Sequence, residues 1–241
     1  MKIPKRLKRN PIIDAVAEVR FTSSLPSEVI IGVVYDNVKD KFGQPKPLPI
    51  MQLPAELREK DPNLRYQACY RFEKPGNVLL VGSHNVALST IPYTDWAAVI
   101  PLLTDLLATF EHIKLFQSVE RIGLRYINFF EKLNIFEHST LSIEVKNQSI
   151  AAQSIVLRTE TAIEGFNVIT SVTNTAQAVL AGEAKEGSIL DLDIAKDSPE
   201  FHGEPLPNAL LRLFTDANKL ADDAFFGLIN QELVAQFEPE Y

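Results

Sequence analysis

Hydrophobic and polar residues alternate along residues 11–22, PIIDAVAEVRFT. Ile13, Ala15, Ala17, Val19 and Phe21 share one side, and Asp14, Glu18 and Arg20 share the other with Ile12 and Val16. That period of two predicts a half-buried strand. Helical spacing takes over in LPSEVIIGVVYDNVKDKFG, where Ser27 can cap the start and Gly43 can close the end. Residues 43–63 then hold five prolines, at 45, 47, 49, 54 and 62. Proline removes amide donors and fixes φ, so the stretch predicts a long ordered loop or a flexible flap, with one or two helical turns in PAELREK.

Strands follow near 64–73 and 77–83, joined by Lys74-Pro75-Gly76-Asn77, which suits a type II turn. A third strand spans 86–91. YTDWAAVIPLLTDLLATFEHI predicts a helix with Trp96, Val99, Leu103, Leu106 and Phe110 inward, kinked or delayed by Pro101. In the next strand, SVERIGLRYINFF at 118–130, Ile122, Leu124, Tyr126 and Phe130 form an apolar face opposite Arg121, Gly123 and Arg125. The order to this point, β-α-β-β-β-α-β, resembles a ferredoxin-like layout with an added strand.

The C-terminal half is mostly strands, near 140–146, 153–161, 166–174 and 187–195, plus a long terminal helix from Asn208. Gly227 interrupts that helix, and Asn230 caps a short last one. The pattern predicts an α+β fold with helices packed on one side of antiparallel sheet. Residues 1–10 read as a basic tail and 11–241 as a single domain, divisible into lobes 11–132 and 138–241.

Charge modifies this picture. The net charge of −7 over 241 residues gives no general attraction to nucleic acid or membrane. The distribution is uneven, however: MKIPKRLKR carries five Lys/Arg and no acid, and residues 200–241 carry eight Asp/Glu against two Lys/Arg. A basic head of this kind frays into solvent or, through Lys2, Lys5, Arg6, Lys8 and Arg9, serves as a phosphate-binding arm. Cys69 is the only cysteine, which excludes an intrachain disulfide and a cysteine zinc site. The N-terminus lacks the apolar run of a signal peptide and no window is long enough to span a bilayer, so a soluble, cytoplasmic protein is expected.

Candidate chemistry lies on the polar sides of the strands. Arg65 and Arg71 flank Cys69, opposite Tyr66, Ala68, Tyr70 and Phe72, and with Arg121 and Arg125 they supply guanidinium forks for an anionic ligand. Gly123 would let that ligand approach the backbone. The same alternation suits a face laced with cross-strand Arg–carboxylate pairs. Glu18, Asp191 and Asp193 are the candidate metal ligands, with Asp197 nearby. The four histidines have no ligand spacing, and no phosphate loop, dinucleotide fingerprint, His-Glu-x-x-His or Gly-x-Ser-x-Gly occurs. No cofactor and no catalytic residue is therefore expected.

The leading expectation is a non-enzymatic interaction or ligand-binding module. It would recognise a protein partner or small anionic ligand through its sheet face and the 43–63 loop. One alternative is a metal-dependent phosphohydrolase or nucleotide-binding enzyme with a charged, tunnel-like sheet face. The other is nucleic-acid binding through the basic arm. NPIIDAVAEVRF, YTDWAAV, RIGLRYINFF, ILDLDIA and AFFGLIN, in that order, resemble an uncharacterised, sporadically distributed prokaryotic family of about this length. That resemblance implies accessory or defence-type loci and no particular activity, cofactor or catalytic residue.

Overall fold

In the computed structural model, which describes residues 3–146, 148–180 and 182–241, the basic head supplies a short strand, β1 (Arg6–Leu7), and the alternating stretch a long one, β2 (Ile12–Thr22). Helix α1 (Ser27–Val38) follows. Pro26 takes its N-cap position in place of Ser27, whose hydroxyl donates instead to Glu59, and it ends well before Gly43. The proline-rich stretch is ordered into β3 (Lys46–Pro47), a 3-10 turn at Pro49–Gln52, α2 (Ala55–Lys60) and α3 (Pro62–Arg65). The Asp61 side chain accepts the Asn63 amide and Pro62 opens α3, so the chain at Arg65 is helical rather than the expected strand.

A meander comes next: β4 (Tyr70–Lys74), β5 (Asn77–Val81) and β6 (Asn85–Thr90). Gly76 takes φ 79° at its first turn, where a side chain would be strained. Helix α4 (Trp96–His112) is capped by Asp95 and carries Pro101 within it, and β7 (Ser118–Glu131) holds the arginine motif. The expected strand at 140–146 shrinks to β8 (Glu144–Val145), paired with β9 (Gln148–Ser149). Strands β10 (Val156–Ile163), β11 (Phe166–Leu180) and β12 (Glu183–Asp197) follow, and the β11–β12 hairpin outruns its expected limits because pairing resumes at Ala176 after a bulge. Helix α5 (Leu206–Leu228) starts two residues before Asn208, with Pro207 in its first turn, and runs through Gly227 without a break. Asn230 caps α6 (Gln231–Gln236), and β13 (Pro239–Glu240) ends the ordered chain.

Nine strands from both halves form one sheet, in the order β10-β11-β12-β7-β2-β6-β5-β4-β3, with every neighbour antiparallel. The added strand of the meander has a topological consequence. Strands β6 and β7 both run antiparallel to β2 from either side, so α4 crosses over β2 to join them. Register puts Ala17 beside both Leu88 and Leu124, and Leu124 beside Ile194, giving one apolar face across four strands. Leu103, Leu106 and Phe110 of α4 and Leu213, Phe214 and Ala217 of α5 belong to the core that covers it. Among the described residues no helix is long and apolar enough to cross a membrane.

The basic head does not fray. Strand β1 pairs with β13, joining the two ends of the chain in a two-stranded strap. Arg6 and Lys8 meet Glu240 at 2.9 and 3.7 Å, and Arg9 meets Glu238 at 2.9 Å. The Lys5 ammonium donates to the Tyr241 carbonyl at 3.3 Å. The charge opposition between the termini is thus spent on holding them together, while Lys2 of the expected arm lies outside the described residues.

Candidate functional site

On the face away from α4 and α5, register sets Glu18 of β2 and Ala195 of β12 on either side of Gly123. The Arg121 guanidinium lies over that glycine: a Cβ there would sit 2.8 Å from Arg121 Nη1. Nη1 donates to Glu18 at 3.1 Å and Nη2 to Asp193 at 2.9 Å, while Asp197 lies 3.7 Å from Nε. Arg125 grips Asp191 with two parallel bonds of 2.8 and 2.6 Å. Gly123 therefore seats a side chain of the same strand.

The four arginines do not converge. Arg71 stands on β4, separated from β7 by three strands, and is held by Glu73. Arg65 ends α3, 3.9 Å from Glu120, where the Tyr66 hydroxyl also donates to Glu120 at 2.9 Å. Each guanidinium proposed for an anion thus already faces a carboxylate of the chain itself. The same contacts absorb the expected metal ligands, since Glu18 and Asp193 hold Arg121 and Asp191 holds Arg125. Among the described residues no group of three or more His, Cys, Asp or Glu is arranged to hold a metal. Leu48 and Pro49 of the 43–63 loop, with Tyr66 just beyond it, line a shallow depression on this face together with Val16, Leu80 and Ala87.

A different site lies on the helix side. The α4 N-terminus, the C-terminal half of α5 and strands β2, β7 and β12 enclose a cavity of about 420 Å³, roofed by residues 4–7 and Glu240 of the strap. Its walls are apolar where Ile12, Leu192, Ala221, Phe225 and Phe226 meet, with Trp96 at one side. Small side chains at Ala217 and Ala221 keep α5 close to the sheet without filling the space.

A polar relay runs along one wall. Tyr126 donates to Asn218 Oδ1 at 2.7 Å, and Asn218 Nδ2 donates to Asp222 at 3.2 Å. Because the Tyr126 proton is committed to Asn218, the 3.3 Å contact between the two phenols has Tyr93 as donor. Burial pushes both phenols above their usual range, so both stay neutral donors. Burial also raises the Asp222 carboxyl, from 3.8 to about 6; the neighbouring Asp223 charge adds to this and the Asn218 bond opposes it. Among the described residues no Lys or Arg lies within ion-pair distance of Asp222.

Asn128 forms part of the cavity floor and is 1% exposed. Its Nδ2 donates to the Leu190 carbonyl at 3.0 Å, which fixes the amide's orientation. Its Oδ1 is buried without a hydrogen-bond partner among the described residues. Two other buried atoms share that condition, Arg71 Nε and Asn85 Oδ1, and neither lines this cavity. A third feature, a 230 Å³ cavity beside α1, contains Cys69 with Arg58 Nη1 at 3.0 Å.

Tyr93, Asn128, Asn218 and Asp222 all escape the sequence reading. Two signals for them existed. Asn128 sits in the buried phase of a strand between Tyr126 and Phe130, and Asn218 and Asp222 are one turn apart beside the small residues of the α5 stripe. Compared with protein-family models and with curated proteins, the chain finds no match.

Proposed function

We propose that this chain is a small-molecule-binding module whose site is the helix-side cavity rather than the charged face of the sheet. The observation that carries this is the cavity itself, whose lining combines the apolar side chains of Ile12, Leu192, Phe225 and Phe226 with the Asp222 carboxyl, which has no cation partner among the described residues. The volume falls within the roughly 300–1,000 Å³ of small-ligand sites, and few, placed polar groups in apolar walls are their usual make-up. The paired arginines of the other face favour a structural role there.

Trp96 is the only tryptophan and lines the cavity, so its fluorescence reports occupancy directly. A fragment screen read by Trp96 emission and thermal shift tests the proposal. Fragments that stabilise the wild type are expected to lose that effect in Ala97→Phe, which puts a bulky side chain at the cavity wall. Hits indifferent to Ala97→Phe, or an absence of hits, would refute it.

A further inference from the structure

We propose that the cavity receives an organic amine, a compact apolar or aromatic body carrying a protonated nitrogen, held by the Asp222 carboxylate. This assignment rests on the cavity being the ligand site.

Hydrogen-bond capacity decides the class. Asp222 accepts one bond from Asn218 on Oδ2, leaving Oδ1 as a free acceptor among the described residues. A carboxylate acceptor calls for a donor on the ligand. An ammonium group supplies up to three and a charge opposite to that of the carboxylate, whereas a carboxylate or phosphate ligand supplies none. Tyr93, Trp96 and Phe226 line the cavity, and aromatic rings suit the apolar body and attract a cation.

The surrounding charges point the same way. Asp223 on α5 and Asp95 at the start of α4 are both acidic, and they stand on the two helices nearest Asp222. The basic groups at the rim belong to the strap and are engaged: Arg6 by Glu240 and Lys5 by the Tyr241 carbonyl. The positive end of the α4 dipole would favour an anion, but Asp95 caps it and accepts the Ala98 amide at 2.9 Å. Tyr93 and Tyr126, the remaining titratable groups along the relay, stay neutral. Asp222 is already desolvated in the folded chain, so the usual penalty for burying a carboxylate is not incurred again when the cation arrives.

Three isosteric probes test the class on the intact protein: 2-phenylethylamine, 2-phenylethanol and phenylacetate, titrated against Trp96 fluorescence. At pH 7.5 the amine is expected to bind about tenfold or more tightly than the alcohol, the scale of a charge-assisted hydrogen bond. That preference should shrink as pH falls below about 6, where Asp222 gains a proton. Asp222→Asn should abolish the preference, the amine's affinity falling to that of the alcohol. Equal or tighter binding of the alcohol or phenylacetate would overturn the amine assignment while leaving the cavity as the site, and so would an amine preference that survives Asp222→Asn. No response to any of the three probes would overturn both.

Discussion

The two faces of the sheet treat charge in opposite ways. On the face away from the helices, Arg121 is 15% exposed yet meets Glu18, Asp193 and Asp197, and Arg125 is matched by Asp191. On the helix face, among the described residues, Asp222 has no cation beside it and Asn128 Oδ1 has no donor. Both faces contain ionisable groups in semi-buried positions, so burial alone does not separate them. Completion does: a network whose donors and acceptors are matched needs nothing more, and an unmatched set is a place for something to bind.

The sharpest way to break that contrast is to remove a centre of each set. Arg121→Met leaves Asp193 without its hydrogen-bonded guanidinium and Glu18 with Arg20 alone, and we expect it to cost about 2–3 kcal/mol in urea unfolding. Neutralising them together, by Glu18→Gln and Asp193→Asn in the Arg121→Met background, should recover part of the loss. Probe affinity at the cavity should not change in either variant. A stable Arg121→Met, or one that loses cavity binding, would mean that the two faces are not independent.

Asp222→Asn is expected to act in the opposite direction. The folded state holds the Asp222 proton up to about pH 6 and the unfolded state only to about 3.8, so the folded chain binds more protons between those values. Stability is therefore greatest below that window and falls as pH rises through it. The full displacement is on the order of 3 kcal/mol, and partial solvation reduces the expected gain of Asp222→Asn at pH 7.5 to roughly 2 kcal/mol. The gain should shrink as pH falls through that window and vanish about one unit below 3.8, where both states are protonated. A more stable protein with a poorer grip on the amine is the signature of a site group, and a destabilised Asp222→Asn would place Asp222 with the structural carboxylates.

Gly123→Ala tests the seat of the ladder and should cost less, about 1–2 kcal/mol. The new Cβ would sit 2.8 Å from Arg121 Nη1, and the guanidinium can shift only by loosening its bonds to Glu18 and Asp193. Wild-type stability in urea unfolding would show that the glycine serves some other purpose.

How much of this was legible follows from the range of the interactions. A period of two is local, so the sequence displays that Arg121, Gly123 and Arg125 share one side and Ile122, Leu124 and Tyr126 the other. Which acid meets which arginine depends on pairing residues far apart in the chain, such as Glu18 with Gly123 and Asp193 with Arg125, and periodicity carries no such information. Hence the guanidiniums and a face laced with Arg–carboxylate pairs were legible, and which acid holds which arginine was not. The cavity is harder still, because it exists only where α4, α5 and three strands fail to fill a volume. Asn128 is the exception: an amide in the buried phase of a strand is anomalous before any contact is known. The helical stretch at 62–65 misled for a local reason, since Tyr66, Tyr70 and Phe72 mimic a strand's alternation across a boundary set by Asp61 and Pro62.

The smallest expected effect concerns the strap that roofs the cavity. Arg6 and Glu240 are both about half exposed, so their pair adds only about 0.2–1 kcal/mol. Arg6→Gln should therefore hardly move the unfolding midpoint, and the difference should disappear in 1 M salt, where screening shortens the reach of charge to about 3 Å. Exchange of ligand through the roof depends on opening the strap rather than unfolding the chain, and local opening draws on far less free energy than the global transition. Stopped-flow dissociation of 2-phenylethylamine is then the sensitive measurement: faster release from Arg6→Gln at low salt, with affinity changing through the off-rate. Unchanged release would mean that the amine reaches Asp222 by another route, and that the pairing of the two chain ends only closes the structure.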